Sequence, residues 1–304
     1  PSGWIEVPGN PAFYGGAYDG NFLVMQYEAK AWDTQTSTVV PDGGLAAGAN
    51  WAGNNTQTRY EARSMVDGQP WVYIAQNHGT YFDAIEACSA VDLGSTSAHL
   101  INNNEWMTIA RNATYIDGNW TNGDVGNGAL FRGNSNSSAS MDGSNPLTGI
   151  NTRTLTLSNG SVVWDLAGNV WDWTNDIQQT AINTTAAWVE WNHANVAPGA
   201  ISLYGPPDGY LSAQGMGQIY GGALNNALLR GGFWFLETNA GAFALTLNYS
   251  PTYTSNTLGF RCASDPVDIS QSYSSSSGRQ ASGGTQITIG PIADGKLVQS
   301  VNVG

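Results

Sequence analysis

Apolar and polar positions follow a regular period in only a few short stretches of the chain, and those stretches predict its elements. Phe22 to Lys30 is rich in β-branched and aromatic residues and predicts a strand. Thr80, with Asp83 three residues on, has the form of a helix N-cap and its capping-box partner. Phe82, Ile85 and Cys88 then recur at helical spacing, which predicts a helix over about 81–91 with those three on one face. Asn102 with Glu105 repeats the start signal and opens a second helix, with Trp106, Ile109 and Ala110 on one side. Short apolar runs at 154–157 and 162–166 predict strands. Residues 43–57 show no period, and beyond Asn112 Gly, Asn, Ser and Trp dominate, so long structured loops are expected in both places. After Asp265, the Ser and Gly tract 270–284 reads as a flexible linker, and the alternating runs 286–289 and 296–301 around Asp294-Gly295 read as a hairpin. No repeat of about 20–50 residues is visible, which sets solenoids and propellers aside.

Composition narrows the class. A chain of 304 residues with 41% apolar side chains can bury a large core, whereas only 11% are charged, against roughly 25% in an average globular protein. With 38 Gly and 12 Trp, the balance suits a loop-rich fold whose core is filled by indoles. The net charge of −13 would repel a phosphate backbone, so nucleic acid is not an expected partner. The longest apolar runs, such as Phe22–Met25, fall far short of the roughly 18 residues that cross a bilayer as a helix. The chain begins at Pro1 without a basic segment or apolar signal core, so a secretion signal is expected to be either removed or never present. Cys88 and Cys262 have no CxxC or His-flanked spacing, which gives zinc no support and leaves two buried thiols or one bridge as alternatives.

Four motifs occur in a fixed order: Tyr27-Glu28-Ala29; the helix pair with Ala87-Cys88 and His99-Leu100 through Glu105-Trp106; Gly168-Asn169-Val170-Trp171-Asp172-Trp173; and Arg230-Gly231-Gly232-Phe233-Trp234 followed by Leu258-Gly259-Phe260-Arg261-Cys262. Together, over residues 20–263, they resemble the formylglycine-generating-enzyme type of C-type-lectin fold. The resemblance implies an α+β domain, with two helices flanking small antiparallel sheets, over 1–265, and leaves 266–304 as the linker and hairpin. Within that family the chain resembles the variable proteins of diversity-generating retroelements, in which the segment between Arg-Gly-Gly-x-Trp and Gly-Phe-Arg is diversified for ligand binding. Here that segment is 233–258. Adenine-directed mutation of an AAC asparagine codon reaches Phe, Leu, Tyr, Thr and Ser. Phe235, Leu236, Thr238, Tyr249, Tyr253, Thr254, Ser255 and Thr257 fall in that set, with Asn239, Asn248 and Asn256 as unmutated survivors, while Glu237 does not fit. Phe233 and Thr246 complete the ligand-binding residues that the resemblance implies.

The same resemblance tests several chemistries. Formylglycine-generating enzymes use a pair of thiols within this interval, but the interval holds no cysteine; Leu236 and Gly241 or a neighbour stand near the thiol positions, so that redox chemistry lacks its nucleophile and its copper ligand. Cys88 and Cys262 match the family's structural pair instead, which implies a disulfide. Some relatives bind calcium at the Gly-Asn-Val-Trp motif, which makes Asn169 and Asp172 the implied ligands, beside the alternative of a Trp-rich core turn with Asp172 hydrogen-bonded to amides. No cofactor is required. Trp173-Thr174-Asn175-Asp176 interrupts the Trp-Asn-Asp signature of sugar-binding lectins with a threonine. His78, His99 and His193 have no Gly-x-Ser-x-Gly elbow to serve, and no pair of carboxylates stands out. The Asn-x-Ser/Thr sequons at Asn54, Asn112, Asn119, Asn136, Asn159, Asn183 and Asn248 are expected by chance in so Asn-rich a chain.

The resulting expectation is a non-catalytic display protein, secreted, cell-surface or virion-exposed. Its partner would be a protein or glycoprotein on a cell or virus surface. The competing classes are an enzyme of this superfamily with altered chemistry, which would gather titratable groups in a deep pocket, and an invariant structural or receptor-binding virion component.

Overall fold

Tryptophan and long-range pairing, rather than long regular elements, hold the fold together. A computed structural model describes residues 2–9, 20–41, 60–72, 80–94, 96–183, 185–192, 194–196, 198–207 and 209–265. The linker and hairpin expected after Asp265, the loop expected over 43–57, and His78, His193 and Asn54 lie outside the described residues.

The chain opens with β1 (Trp4–Val7) antiparallel to β2 (Phe22–Met25), followed by β3 (Ala29–Asp33), β4 (Thr38–Val39) and β5 (Tyr60–Ser64), which form a sheet in the order β4-β3-β5. The single strand expected over 22–30 is therefore two. The chain turns at Gln26–Glu28 because Glu28 points into the core, where its carboxylate accepts the Val170 N–H at 3.1 Å. Helix α1 (Tyr81–Ser89) and β6 (Ala98–Leu100) lead into helix α2 (Asn103–Thr114). Both helices carry the capping boxes read from sequence, Thr80 with Asp83 and Asn102 with Glu105. In α1 the buried face runs through Tyr81, Ala84, Ala87 and Cys88, whereas Phe82 is exposed and Ile85 half-buried. The expected face through Phe82 is displaced because the neighbouring Tyr81 ring docks edge-on against Trp173 and its hydroxyl reaches the Asn175 side chain.

A hairpin of β7 (Thr154–Thr156) and β8 (Val162–Trp164) precedes β9 (Trp171–Ile177), β10 (Trp188–Val189) and a short helix α3 (Pro198–Tyr204) that the sequence did not announce. The chain then forms β11 (Ile219–Tyr220), β12 (Ala227–Arg230), β13 (Leu245–Thr246), β14 (Leu258–Phe260) and β15 (Cys262–Ser264). A six-stranded sheet, β10-β11-β13-β12-β9-β14, is mainly antiparallel but includes parallel pairs β11–β13 and β9–β14. A four-stranded sheet, β1-β2-β15-β6, closes the chain back on its start.

Trp106 and Trp120 fill the cluster around α2, donating their indole N–H groups to the carbonyls of Ala242 at 2.8 Å and Thr114 at 3.0 Å, so no polar cost offsets their burial. Trp71, Trp171 and Trp173 pack in the cluster under α1, which also holds the expected Cys88–Cys262 disulfide, spanning 174 residues with Cα atoms 5.3 Å apart. Between these clusters lies a buried ionic network. Arg153 pairs with Asp165 at 2.6 Å and Arg261 with Asp172 at 2.8 Å, all four side chains being almost wholly buried. Among the described residues, Lys30, Arg111, Arg153, Arg230 and Arg261 are buried, so much of the chain's scarce positive charge is spent inside. No helix among the described residues is long and apolar enough to cross a membrane.

Candidate ligand-binding face

Strand β12 delivers the chain to the segment between the two glycine motifs. Its last residue, Arg230, is fully buried, with its guanidinium donating to Asn103 Oδ1 and, at 2.9 Å, to the Tyr204 carbonyl; burial pulls its pKa down to about 9. Gly231 and Gly232 follow at φ +89° and +95°, and a Cβ on Gly232 would stand 2.8 Å from Ala240 Cα, so neither the turn nor the close approach admits a side chain.

The segment then divides into three. A first loop, 233–239, presents Phe235, which at 69% is the most exposed large apolar side chain described, with Thr238 exposed and Phe233, Leu236 and Asn239 half-buried. A middle run, 240–247, is buried throughout and supplies β13 to the sheet. A second loop, 248–257, exposes Asn248, Tyr253 and Asn256 and half-buries Tyr249, Thr254, Ser255 and Thr257. Thr246, expected on the outer face, is only 2% exposed, because β13 sits between β11 and β12 in the interior of the sheet. It is removed from the face for that reason.

Both loops are fastened to one turn. The Trp234 N–H donates to the Asn169 carbonyl at 3.1 Å, and two residues further along that turn the Trp171 N–H donates to the Thr257 carbonyl at 2.8 Å. The beginning of the first loop and the end of the second are thus held side by side. The first loop is also tied to 134–137, through Ser137 N–H to the Trp234 carbonyl and Glu237 N–H to the Ser135 carbonyl, each at 2.8 Å. The second loop rests on α1 through Tyr81 N–H to the Pro251 carbonyl, 3.1 Å, and on β12 through Ala227 N–H to the Tyr249 carbonyl, 3.2 Å. Within it the Tyr249 and Tyr253 rings lie 4.7 Å apart, and burial, with Tyr253 and Tyr220 nearby, raises the Tyr249 hydroxyl.

The turn is rigid because Asn169 is saturated. It stands at φ +63°, a conformation Asn tolerates, and its Oδ1 accepts from Asn134 Nδ2 at 2.9 Å and from the Met141 N–H at 2.8 Å. Its Nδ2 donates to Glu28 and to the Met141 carbonyl. Burial, then Asp165 and Asp172, push the Glu28 carboxyl well above its usual range. Burial likewise raises Asp172 to about 6, against the pull of Arg261.

The two side chains named for calcium are largely committed within the fold: the Asn169 oxygen accepts from two N–H donors and Asp172 Oδ2 accepts from Arg261, which leaves the buried Asp172 Oδ1 as the one side-chain oxygen of the pair without a hydrogen bond, whereas Ca²⁺ takes several oxygens turned toward one point. His99, Glu105 and Asp265 bring ligand atoms within 4.8 Å of one another. There, however, the Glu105 carboxylate is shared between His99, at 2.8 Å, and the Asn102 N–H that it caps. Sequence reasoning missed Asn134, Ser135 and Ser137, which fix the turn and the first loop, and read Glu28 only as part of a motif; the partners that matter here, Asn169, Trp234 and Glu237, lie far from them in sequence. Of the sequons, Asn112, Asn119 and Asn183 are buried, so they do not present an accessible amide.

The sulfatase-modifying factor enzyme 1-like domain family matches residues 21–266. No curated protein matches. Solved structures similar to this chain include the Major Tropism Determinant I1 variant, at 15% identity and a TM-score of 0.35 over 87% of this chain and 53% of that one. Treponema denticola variable protein 1 matches at 15% identity and 0.41 over 81% and 85%. PvdO from Pseudomonas aeruginosa matches at 14% identity and 0.40 over 88% and 92%. The chain spans about half the length of the first of these.

Proposed function

Since the chain belongs to the sulfatase-modifying factor enzyme 1-like domain family, yet its segment between the glycine motifs offers aromatic, hydroxyl and amide groups in place of thiols, we propose that it is a non-catalytic display protein that binds ligands through its two exposed loops. The observation that carries this reading is the clamp: two open loops joined by a buried run and pinned to the same turn. Such loops can change their outward side chains at little cost to the frame. The face comprises Phe233, Phe235, Leu236, Thr238 and Asn239 in the first loop and Asn248, Tyr249, Tyr253, Thr254, Ser255, Asn256 and Thr257 in the second. Aromatic rings among small hydroxyl and amide groups are the composition of protein-binding loops. The partner is a protein or glycoprotein on a cell or virus surface, this protein being surface- or virion-exposed, and the two loops are the target of retroelement diversification.

The test is genomic. A second, near-identical copy of the DNA encoding about 230–261, beside a reverse-transcriptase gene and differing at adenines, is expected, with the differences falling in codons 233–239 and 248–257 and sparing 240–247. Differences spread evenly over the buried run would overturn the reading.

A further inference from the structure

Aromatic side chains outside the two loops continue the second loop's surface. The Tyr249–Tyr253 pair is bordered by Tyr220 of β11, whose carbonyl accepts the Leu247 N–H at 3.0 Å. Tyr220 meets the Trp188 ring edge-on at 5.3 Å, and Trp188 stacks over Trp171, 6.2 Å between centroids and 3° between planes. On the other side of the loop, Pro251 is hydrogen-bonded to Tyr81, and the adjacent Phe82 is 54% exposed on the first turn of α1. Leu224, 52% exposed, caps the turn between β11 and β12, where Ala227 holds Tyr249. None of Phe82, Trp188, Tyr220 and Leu224 belongs to the segment between the glycine motifs.

The charge around these residues is one-sided. No Lys or Arg occurs in 64–110, 154–229 or 231–260, the stretches that contribute every residue of this surface, and the intervening Arg230 is buried. Glu86 follows Phe82 by one helical turn and so shares its side of α1. Aromatic rings on stretches that carry acidic groups and no Lys or Arg, in a chain of net charge −13, disfavour acidic ligands and attract ammonium and guanidinium groups, both over distance and through ring faces.

Resting on the display reading above, we infer that the binding face extends from the second loop onto the framework residues Phe82, Trp188, Tyr220 and Leu224, and that its partner is a protein surface presenting Lys or Arg beside apolar side chains. The framework rings would give a constant contribution to binding, and the loops would set which partner is chosen.

Panning the full chain against a displayed library of random 12-residue peptides tests this. Enriched peptides are expected to combine Lys or Arg with aromatic or aliphatic residues. For one such peptide, Phe82→Ala and Tyr220→Ala should each weaken binding about tenfold or more. Tyr253→Ala should weaken it as well, with all three variants melting near the parent. Loss with Tyr253→Ala but not with Phe82→Ala or Tyr220→Ala would overturn the extension and leave the loops as the site. Enrichment of acidic or uncharged peptides would overturn the cationic partner. Binding indifferent to all three substitutions would overturn the display reading itself. Should Tyr220→Ala fail to fold, Phe82→Ala, at an exposed helical position, decides.

Discussion

Phe235 and Thr246 fall in the same stretch between the glycine motifs, but one points to solvent and the other is closed inside the sheet. Phe235→Ala should therefore alter stability by no more than about 0.5 kcal/mol, whereas Thr246→Lys buries an unpaired ammonium and should abolish folding or cost several kcal/mol, on the order of a whole domain's margin. Thermal melts of the two variants check this, and equal melting temperatures would contradict the division into loops and buried run. The Asn169 side chain ties several segments at once, so its removal strands donors and acceptors from Glu28, Asn134 and Met141 together. Asn169→Ala should cost about 3 kcal/mol or more in urea unfolding, since each buried group left unpaired costs about 1–3 kcal/mol. It should also loosen Trp234 and Thr257 at once, seen as faster hydrogen exchange in both loops. A loss confined to one loop would mean that the turn does not couple them.

At the level of elements, the second helix offers a pH test. The Glu105 carboxylate caps α2 and hydrogen-bonds His99, and that bond, outweighing partial burial and helped by the charges of Glu105 and Asp265, raises the imidazole above 6.5. A raised histidine stabilises the fold fully below about pH 6.5 and loses that contribution as pH climbs through the raised value. His99→Gln keeps a hydrogen-bonding group without the charge. Its melting temperature should fall less than the parent's between about pH 6 and about pH 9, and identical falls would show that the pair does not stabilise the helix start. These caps were legible because each is a local rule, a Thr or Asn answered by an acid three residues later. The inward face of α1 was not, since Tyr81 rather than Phe82 meets Trp173, a partner far along the chain. The same limit explains the segment: its motifs mark both ends in sequence, but only pairing of 245–246 with 229–230 shows that its middle is core. Asn169 was singled out for a metal, and its actual partners, Glu28 and Asn134, are brought to it by tertiary folding.

For the whole molecule, the disulfide joins the pieces on which recognition depends. Cys262 opens β15, one residue beyond β14, where the second loop re-enters the sheet, and Cys88 lies in the last turn of α1, whose first turn holds Pro251 of that same loop. The bridge thus closes a path from loop to helix to strand, and it also cross-links 174 residues of unfolded chain. A loop of that length gives about 5 kcal/mol in the chain-entropy model, and loss of native bridges typically costs about 2–5 kcal/mol. The double variant Cys88→Ala, Cys262→Ala should melt roughly 5–15 °C lower. Because α1 would lose its covalent hold on Cys262, hydrogen exchange should rise first at 248–262 and least around Trp106, whose contacts lie in the other cluster. An even rise across both clusters would show that the bridge acts on the unfolded chain alone; a rise concentrated beneath the second loop would show that it also fixes the surface from which that loop meets its partner.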